Sequence, residues 1–185
     1  MNHLNFRLDL YGELTSDQRR ELTDEGGSTL FRRVNPADPV AWLRLSEDGD
    51  DPVGPVADRM VVGSVVGDDR QPGADVAGLV SLIWYDVPTA EAAEFEDWFS
   101  QEHAPILLRE AAWLRCRRVR VAQDTAGTTV THLVIHELAD ATALTSPHME
   151  AARATPARAD MAARPWFAAN VMELFERESP AGATS

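Results

Sequence analysis

The chain has no lysine. All seventeen of its basic residues are arginine, set against thirty Asp and Glu, for a formal net charge of -13 over 185 residues. Without a lysine amine there is no Schiff base, no lysine-anchored pyridoxal phosphate and no phosphate-binding loop of the type that ends in Gly-Lys-Ser/Thr. An acidic surface has the wrong sign for nucleic acid, which demands a basic stripe, and for anionic membranes. Cysteine is nearly absent as well: Cys116 stands alone, so the sequence excludes an internal disulfide and a multi-thiolate metal site, and the residue reads as a half-buried small side chain. Long apolar runs are also missing. No window approaches the ~18 apolar residues of a membrane helix, and residues 1–10 lack a signal-peptide apolar region, so the cytoplasm is the expected compartment. What remains is ordinary globular composition, 44% hydrophobic and 25% charged, enough to bury a core.

Residues 48–55 (DGDDPVGP) and 67–75 (GDDRQPGAD) concentrate the residues that break regular structure. The second stretch divides the chain into a first half, residues 1–70, and a second half, residues 76–178, with a small polar tail at 179–185 expected to fray. In the second half, residues 76–87 (VAGLVSLIWYDV) form the near-continuous apolar run of a strand covered on both faces. Pro88 ends it, and Thr89 offers an N-cap to a helix on which Phe95, Phe99, His103 and Leu107 recur every four residues, an apolar face carrying one imidazole. Pro105 is expected to kink or end that helix. Residues 113–121 and 128–138 read as an antiparallel strand pair turned near Gly127, residues 140–154 as a helix, and residues 166–175 (WFAANVMELF) as a closing strand. The order β-α-β-β-α-β is a ferredoxin-like split βαβ unit. Residues 1–70 echo it with strands at 4–10, 29–34, 40–45 and 60–66 and a polar helix at 15–25, leaving almost no room for a second helix. The expected fold is therefore α+β: two tandem ferredoxin-like units, the first degenerate, packed sheet to sheet as a barrel. Closure within the chain needs no partner, whereas a first half too degenerate to close it would leave the second seeking a mate, giving a homodimer.

The segment Phe95-Glu96-Asp97-Trp98-Phe99-Ser100-Gln101-Glu102-His103-Ala104-Pro105 resembles the Phe-x-x-Trp/Tyr-x-x-x-x-His-x-Pro signature on the first helix of EthD-like proteins, a branch of the dimeric α/β-barrel superfamily. The preceding strand ending in Trp84-Tyr85-Asp86-Val87-Pro88 and the strand beginning at Trp113 resemble theirs too. The resemblance implies a cavity between sheet and helices that takes small, mostly apolar and often aromatic molecules, in enzymes as different as cofactor-free monooxygenases, polyketide cyclases and haem-degrading proteins. The first half shows no second copy of the motif, so one cavity is expected to carry its histidine.

His103 is the leading candidate for chemistry, since an imidazole on an apolar helix face is partly desolvated and titrates near neutrality. The competing role is structural, a ring bonded to a carbonyl beneath the Pro105 kink. His132 and His136 are spaced as a helical metal pair, but their β-branched surroundings read as a strand, where four rises of ~3.3 Å separate them too far to share one ion. They share a strand face, and His136 meets His103 if that face lines the cavity. Trp84, Trp98 and Phe99 are placed as apolar walls for a planar substrate, and Asn170, polar within an apolar run, as a donor to a substrate carbonyl. Arg115, Arg117, Arg118 and Arg120 read as a solvated hairpin balanced by local acids rather than an anion site. No metal and no organic cofactor is expected. The resulting expectation is a cofactor-independent enzyme (cyclase, isomerase or monooxygenase) of natural-product metabolism, in which His103 takes a proton from a hydrophobic aromatic or polyketide-type substrate and His136 or Asn170 steadies the oxyanion. Two alternatives stand beside it: a small-molecule carrier on the same fold, and an interaction module whose cavity is filled by its own side chains.

Overall fold

The two halves begin with strands of equal length that end on the same residue type, β1 (Asn5–Tyr11) and β5 (Leu79–Tyr85). The computed structural model describes residues 5–24, 29–35, 42–47, 54–73 and 76–178; the polar tail expected at 179–185 lies outside them. After β1 come α1 (Ser16–Asp24), β2 (Leu30–Arg33), β3 (Trp42–Glu47) and β4 (Arg59–Arg70). After β5 come α2 (Ala92–Trp98), a π-helix (Phe99–His103) and α3 (Ala104–Leu107), then β6 (Trp113–Asp124) and β7 (His132–Leu138). A 3-10 helix (Ala141–Thr145), α4 (Pro147–Arg153), α5 (Pro156–Ala162), α6 (Pro165–Ala168) and β8 (Val171–Arg177) complete the second half.

The strands close into a barrel in the order β1-β3-β2-β8-β5-β7-β6-β4, with β4 returning to β1 and every pairing antiparallel. Each half contributes four strands in the ferredoxin-like order, β4-β1-β3-β2 and β8-β5-β7-β6. The halves meet at two equivalent seams, β2 with β8 and β4 with β6. Each half covers the edges the other would expose, which is how one chain closes its sheet without a second copy.

Alternation along the strands sorts side chains into two layers. Val80, Leu82 and Trp84 of β5 join Phe6, Leu8, Leu10, Leu43, Leu133, Ile135 and Phe175 in the barrel interior. Burying each such side chain contributes ~1.5–3 kcal/mol, so the inward set is a main source of the sheet's stability. The outward residues of the second half, among them Leu79, Tyr85, Trp113, Val134 and Leu138, pack under α2, the π-helix and the later helices. The first half has only α1 over its outer face among the described residues, where Tyr11, Leu22, Leu30 and Trp42 cluster. Residues 54–58, the described part of the β3–β4 connection, are not helical.

Three local expectations are corrected. Glu91, not Thr89, is the N-cap of α2, and it makes no side-chain capping bond. The helix expected over 140–154 is two pieces, because Asp140 caps one by accepting from the Thr142 amide and Ser146 caps the next by accepting from the Met149 amide. The run 166–175 is not one strand: Pro165 opens α6, and β8 starts only at Val171. Pro147, Pro156 and Pro165 each occupy the first turn of a short helix, where a missing N–H is harmless. The middle one, α5, was not anticipated from the pattern of the sequence.

Candidate functional site

The site is built where the π-helix crosses the outer face of β5, β6 and β7. Pro105 explains the π turn. It has no N–H to offer the carbonyl of Gln101, and its ring crowds that carbonyl, so the preceding turn widens and the Ala104 amide reaches back to the Phe99 carbonyl. The kink expected at Pro105 thus takes the form of a five-residue π turn carrying Phe99 and His103. Glu102 ties the same turn to α5: its Oε1 accepts from Trp98 Nε1 at 3.2 Å and from Thr155 Oγ1 at 2.6 Å.

The imidazole of His103 is buried, 8% exposed. It lies against Trp98, ring centroids 4.7 Å apart, and against Phe99 at 5.1 Å. Phe99 in turn stacks on His136 of β7 at 5.9 Å with an interplanar angle of 17°. His136 occupies the middle of a cross-strand row, with Ser81 of β5 opposite it on one side and Cys116 of β6 on the other. Trp113 donates from Nε1 to His136 Nδ1 at 3.3 Å. Further along β6, Arg118 sets its guanidinium carbon 5.0 Å from the Phe99 ring centre and donates from Nη1 to Asp69 at 2.9 Å.

Both imidazoles are neutral at physiological pH. Burial pushes His103 down to about 3, assisted by the positive fields of Arg158 and Arg153. Burial also brings His136 to about 3, with the His103 and Arg118 charges adding to it. Burial raises the Cys116 thiol and the Tyr85 hydroxyl, so neither ionises near neutrality. Three polar atoms on this face have no hydrogen-bond partner among the described residues: His103 Nδ1, Ser81 Oγ and Arg118 Nε. An unpaired buried polar atom costs ~1–3 kcal/mol, and such atoms mark places where a ligand or water completes the arrangement.

The expected site residues divide into two groups. His103, His136, Trp98 and Phe99 come together as described. Trp84 does not join them, because it faces the barrel interior on the other side of the sheet. There it donates from Nε1 to Glu173 at 2.7 Å and packs under the Arg59 guanidinium at 4.2 Å. Asn170 is at the junction of α6 and β8, and its Nδ2 donates to the Phe167 carbonyl at 2.6 Å, so one of its two N–H donors is held by its own helix rather than directed to the His103 face. His132 shares the face but sits further along, against Phe95 and 3.4 Å from Glu96. The arginines of β6 are balanced by local acids as expected, Arg117 by Glu137 and Arg115 by Asp68, each at 2.6 Å, but Arg117 and Arg118 are buried rather than solvated. Cys116 is fully buried rather than half-buried. Ser81 was not singled out in the sequence, and Arg118 was set aside with the other arginines of β6. The signal for Ser81 was available, a lone hydroxyl inside the apolar run VAGLVSLIWYDV; the signal for Arg118 was its alternation with Arg117.

Trp98 also lines a groove of about 610 Å³ between α2, the π-helix and α5, together with Met161 and an acidic rim of Glu94, Asp97, Glu102 and Asp160. The groove therefore begins one ring away from His103.

No protein-family model matches the sequence, and no curated protein matches it. Solved structures do match in fold. A haem-degrading enzyme from Listeria monocytogenes superposes with a TM-score of 0.61 at 9% identity, covering 94% of this chain and 99% of that one. A ferredoxin-fold protein from Listeria monocytogenes described as related to antibiotic biosynthesis monooxygenases gives 0.61 at 8% identity, covering 97% of each chain. An anthrone oxidase-like protein gives 0.57 at 15% identity, covering 96% of this chain and 92% of that one. At these identities the likeness establishes the fold alone: a ferredoxin-like α+β barrel of the dimeric α/β-barrel type, with both halves supplied by one chain.

Proposed function

We propose that the chain is a small-molecule enzyme of the oxygenase type that uses no metal or organic cofactor and acts on a hydrophobic aromatic or polyketide-type substrate at the His103 face. The observation that carries this reading is the buried His103 Nδ1, a ring nitrogen without a hydrogen-bond partner among the described residues on an aromatic-lined face. The sequence has neither a lysine nor a glycine-rich phosphate loop, which removes lysine-anchored pyridoxal phosphate and loop-bound nucleotides from the cofactors such a site could use. The fold neighbours described as monooxygenase-related and anthrone oxidase-like point to oxygen as the co-substrate.

The substrate enters from the groove past Trp98 and displaces the Phe99 ring, which fills the space between the two imidazoles. Neutral His103 takes a proton from an activated C–H or phenolic O–H. The developing oxyanion is met by His136, whose Nδ1 accepts from Trp113 and whose remaining proton therefore sits on Nε2. The carbanion passes one electron to dioxygen, and the resulting pair combines to a peroxide, protonated by His103. Loss of water from the peroxide of a methylene group leaves a ketone, so each methylene oxidised consumes one dioxygen and yields one carbonyl and one water.

Oxygen uptake with anthrone in the presence of EDTA tests the reading. Uptake equal to ketone formed, falling by about 10² or more in His103→Ala, is the expected result. A carrier protein on the same fold is the second reading, favoured by the depressed pKa of both imidazoles, which makes each a weak base. Saturable anthrone binding without uptake would establish it.

A further inference from the structure

We infer that Arg118 is an anion-recognition residue of this site, so that the ligands taken there are aromatic molecules carrying a planar oxyanion, a carboxylate or an ionised phenol. The inference rests on the proposed binding of substrate at the His103 face and adds what the substrate must carry.

Arg118 is paired differently from Arg115 and Arg120 on β6. Arg115 binds Asp68 through both Nε and Nη2, at 2.7 and 2.6 Å. Arg120 is more than half exposed and pairs with Glu96 at 2.7 Å. Arg118 is 4% exposed, bonds Asp69 through Nη1, and leaves Nε without an acceptor among the described residues. A guanidinium withdrawn from water is stable only when its donors find acceptors, and an unoccupied N–H beside Phe99 is suited to an incoming anion.

Its seat is shaped by the sheet. The β4–β6 register slips between Val65 and Gly67, and Gly67 lies opposite Arg118. A Cβ at Gly67 would overlap the Nη2, Cζ and Nε atoms of Arg118. The bulge and the missing side chain together let the guanidinium lie flat across β4, so the first half of the chain positions a residue of the second half's site.

The test compares 1-naphthoate with 1-naphthamide, an anion and a neutral analogue of the same shape, by titration calorimetry on the full chain. The wild type is expected to prefer naphthoate by about tenfold or more. Arg118→Gln should bring the two affinities within about twofold by weakening naphthoate alone. Gly67→Ala should do the same while leaving Arg118 in the sequence, and it keeps the test open if Arg118→Gln fails to fold. Equal affinities in the wild type, no binding of either probe, or a naphthoate preference that survives both substitutions would overturn the inference. Failure of the catalytic reading shows differently: anthrone is then not oxidised, while the naphthoate preference and its dependence on Arg118 remain.

Discussion

The indole of Trp113 on β6 donates to Nδ1 of His136 on β7 at 3.3 Å, with the two rings edge to face at 5.0 Å. A neutral imidazole whose Nδ1 accepts must carry its proton on Nε2. The bond therefore fixes a tautomer as well as an orientation, and it makes His136 a donor toward the ligand. Trp113→Phe removes the donor and keeps an aromatic ring. In nitrogen-15-labelled protein the His136 signals are expected to change from a pure Nε2–H form to a mixture, with stability lowered by ~1–3 kcal/mol for the lost bond and the void left by the smaller ring. A spectrum unchanged by the substitution would mean that another contact sets the tautomer.

Acid should destabilise the fold through the two buried imidazoles, His103 and His136. His103 and His136 are held down to about 3, below the 6.5 of a free imidazole. Between those values the unfolded chain binds protons that the folded chain refuses, so stability present above about pH 6.5 is lost as pH falls toward 3. The slope is ~1.4 kcal/mol per pH unit for each imidazole. His103→Leu removes one of them, and its urea midpoint between pH 6.5 and 5 should fall less steeply than the wild type's, a difference of about 2 kcal/mol over that window. Parallel curves for the two proteins would show that His103 is not protected from protonation.

Much of the barrel was legible because strand alternation is a local signal: β1, the β2–β3 pair, β4, β5, β6 and β7 all overlap the segments read from residue pattern. The closing run failed because WFAANVMELF satisfies both periods, and only Pro165, with its fixed φ and absent N–H, decides that its first residues turn as a helix. The site was half legible. His103, Trp98 and Phe99 share one helical segment and a recognisable spacing, and His136 was placed beside them only on condition that its strand face line the cavity. Trp84 was misplaced because alternation says which residues share a face but not which face the helices cover. The unpaired donor on Arg118 depends on a bulge in a strand of the other half, a long-range fact that no local pattern records.

Pro105 offers a direct test of the π turn. Its missing N–H and its ring hold the preceding turn open, and an alanine there restores the ordinary i to i-4 bond. Pro105→Ala should therefore leave stability unchanged or slightly raised, since alanine is the better helix former. Drawing the segment into a regular α-helix rotates His103 away from Phe99 and His136, and turnover should fall by about tenfold or more, as expected of a displaced acid–base group. A crystal structure of the variant with the π turn intact would show that packing, rather than proline, holds it.

The sheet separates Trp84 from Trp98, and paired substitutions make that separation measurable. Trp84 is anchored inside the barrel by its bond to Glu173, which is also paired with Arg33. Trp84→Phe leaves that half-buried carboxylate one donor short and opens a small void, a loss of ~1–3 kcal/mol in stability. Because the ring faces away from His103, naphthoate affinity and turnover should change by less than about twofold, within the range of distant and independent sites. Trp98→Leu acts the other way. It removes the ring between the groove and His103, and a lost aromatic contact of ~0.5–1.5 kcal/mol corresponds to weakening of naphthoate binding by several-fold up to about tenfold. If Trp84→Phe proved the more damaging to binding, the ligand would have to enter the barrel itself, and the helix-covered face would lose its claim as the functional site.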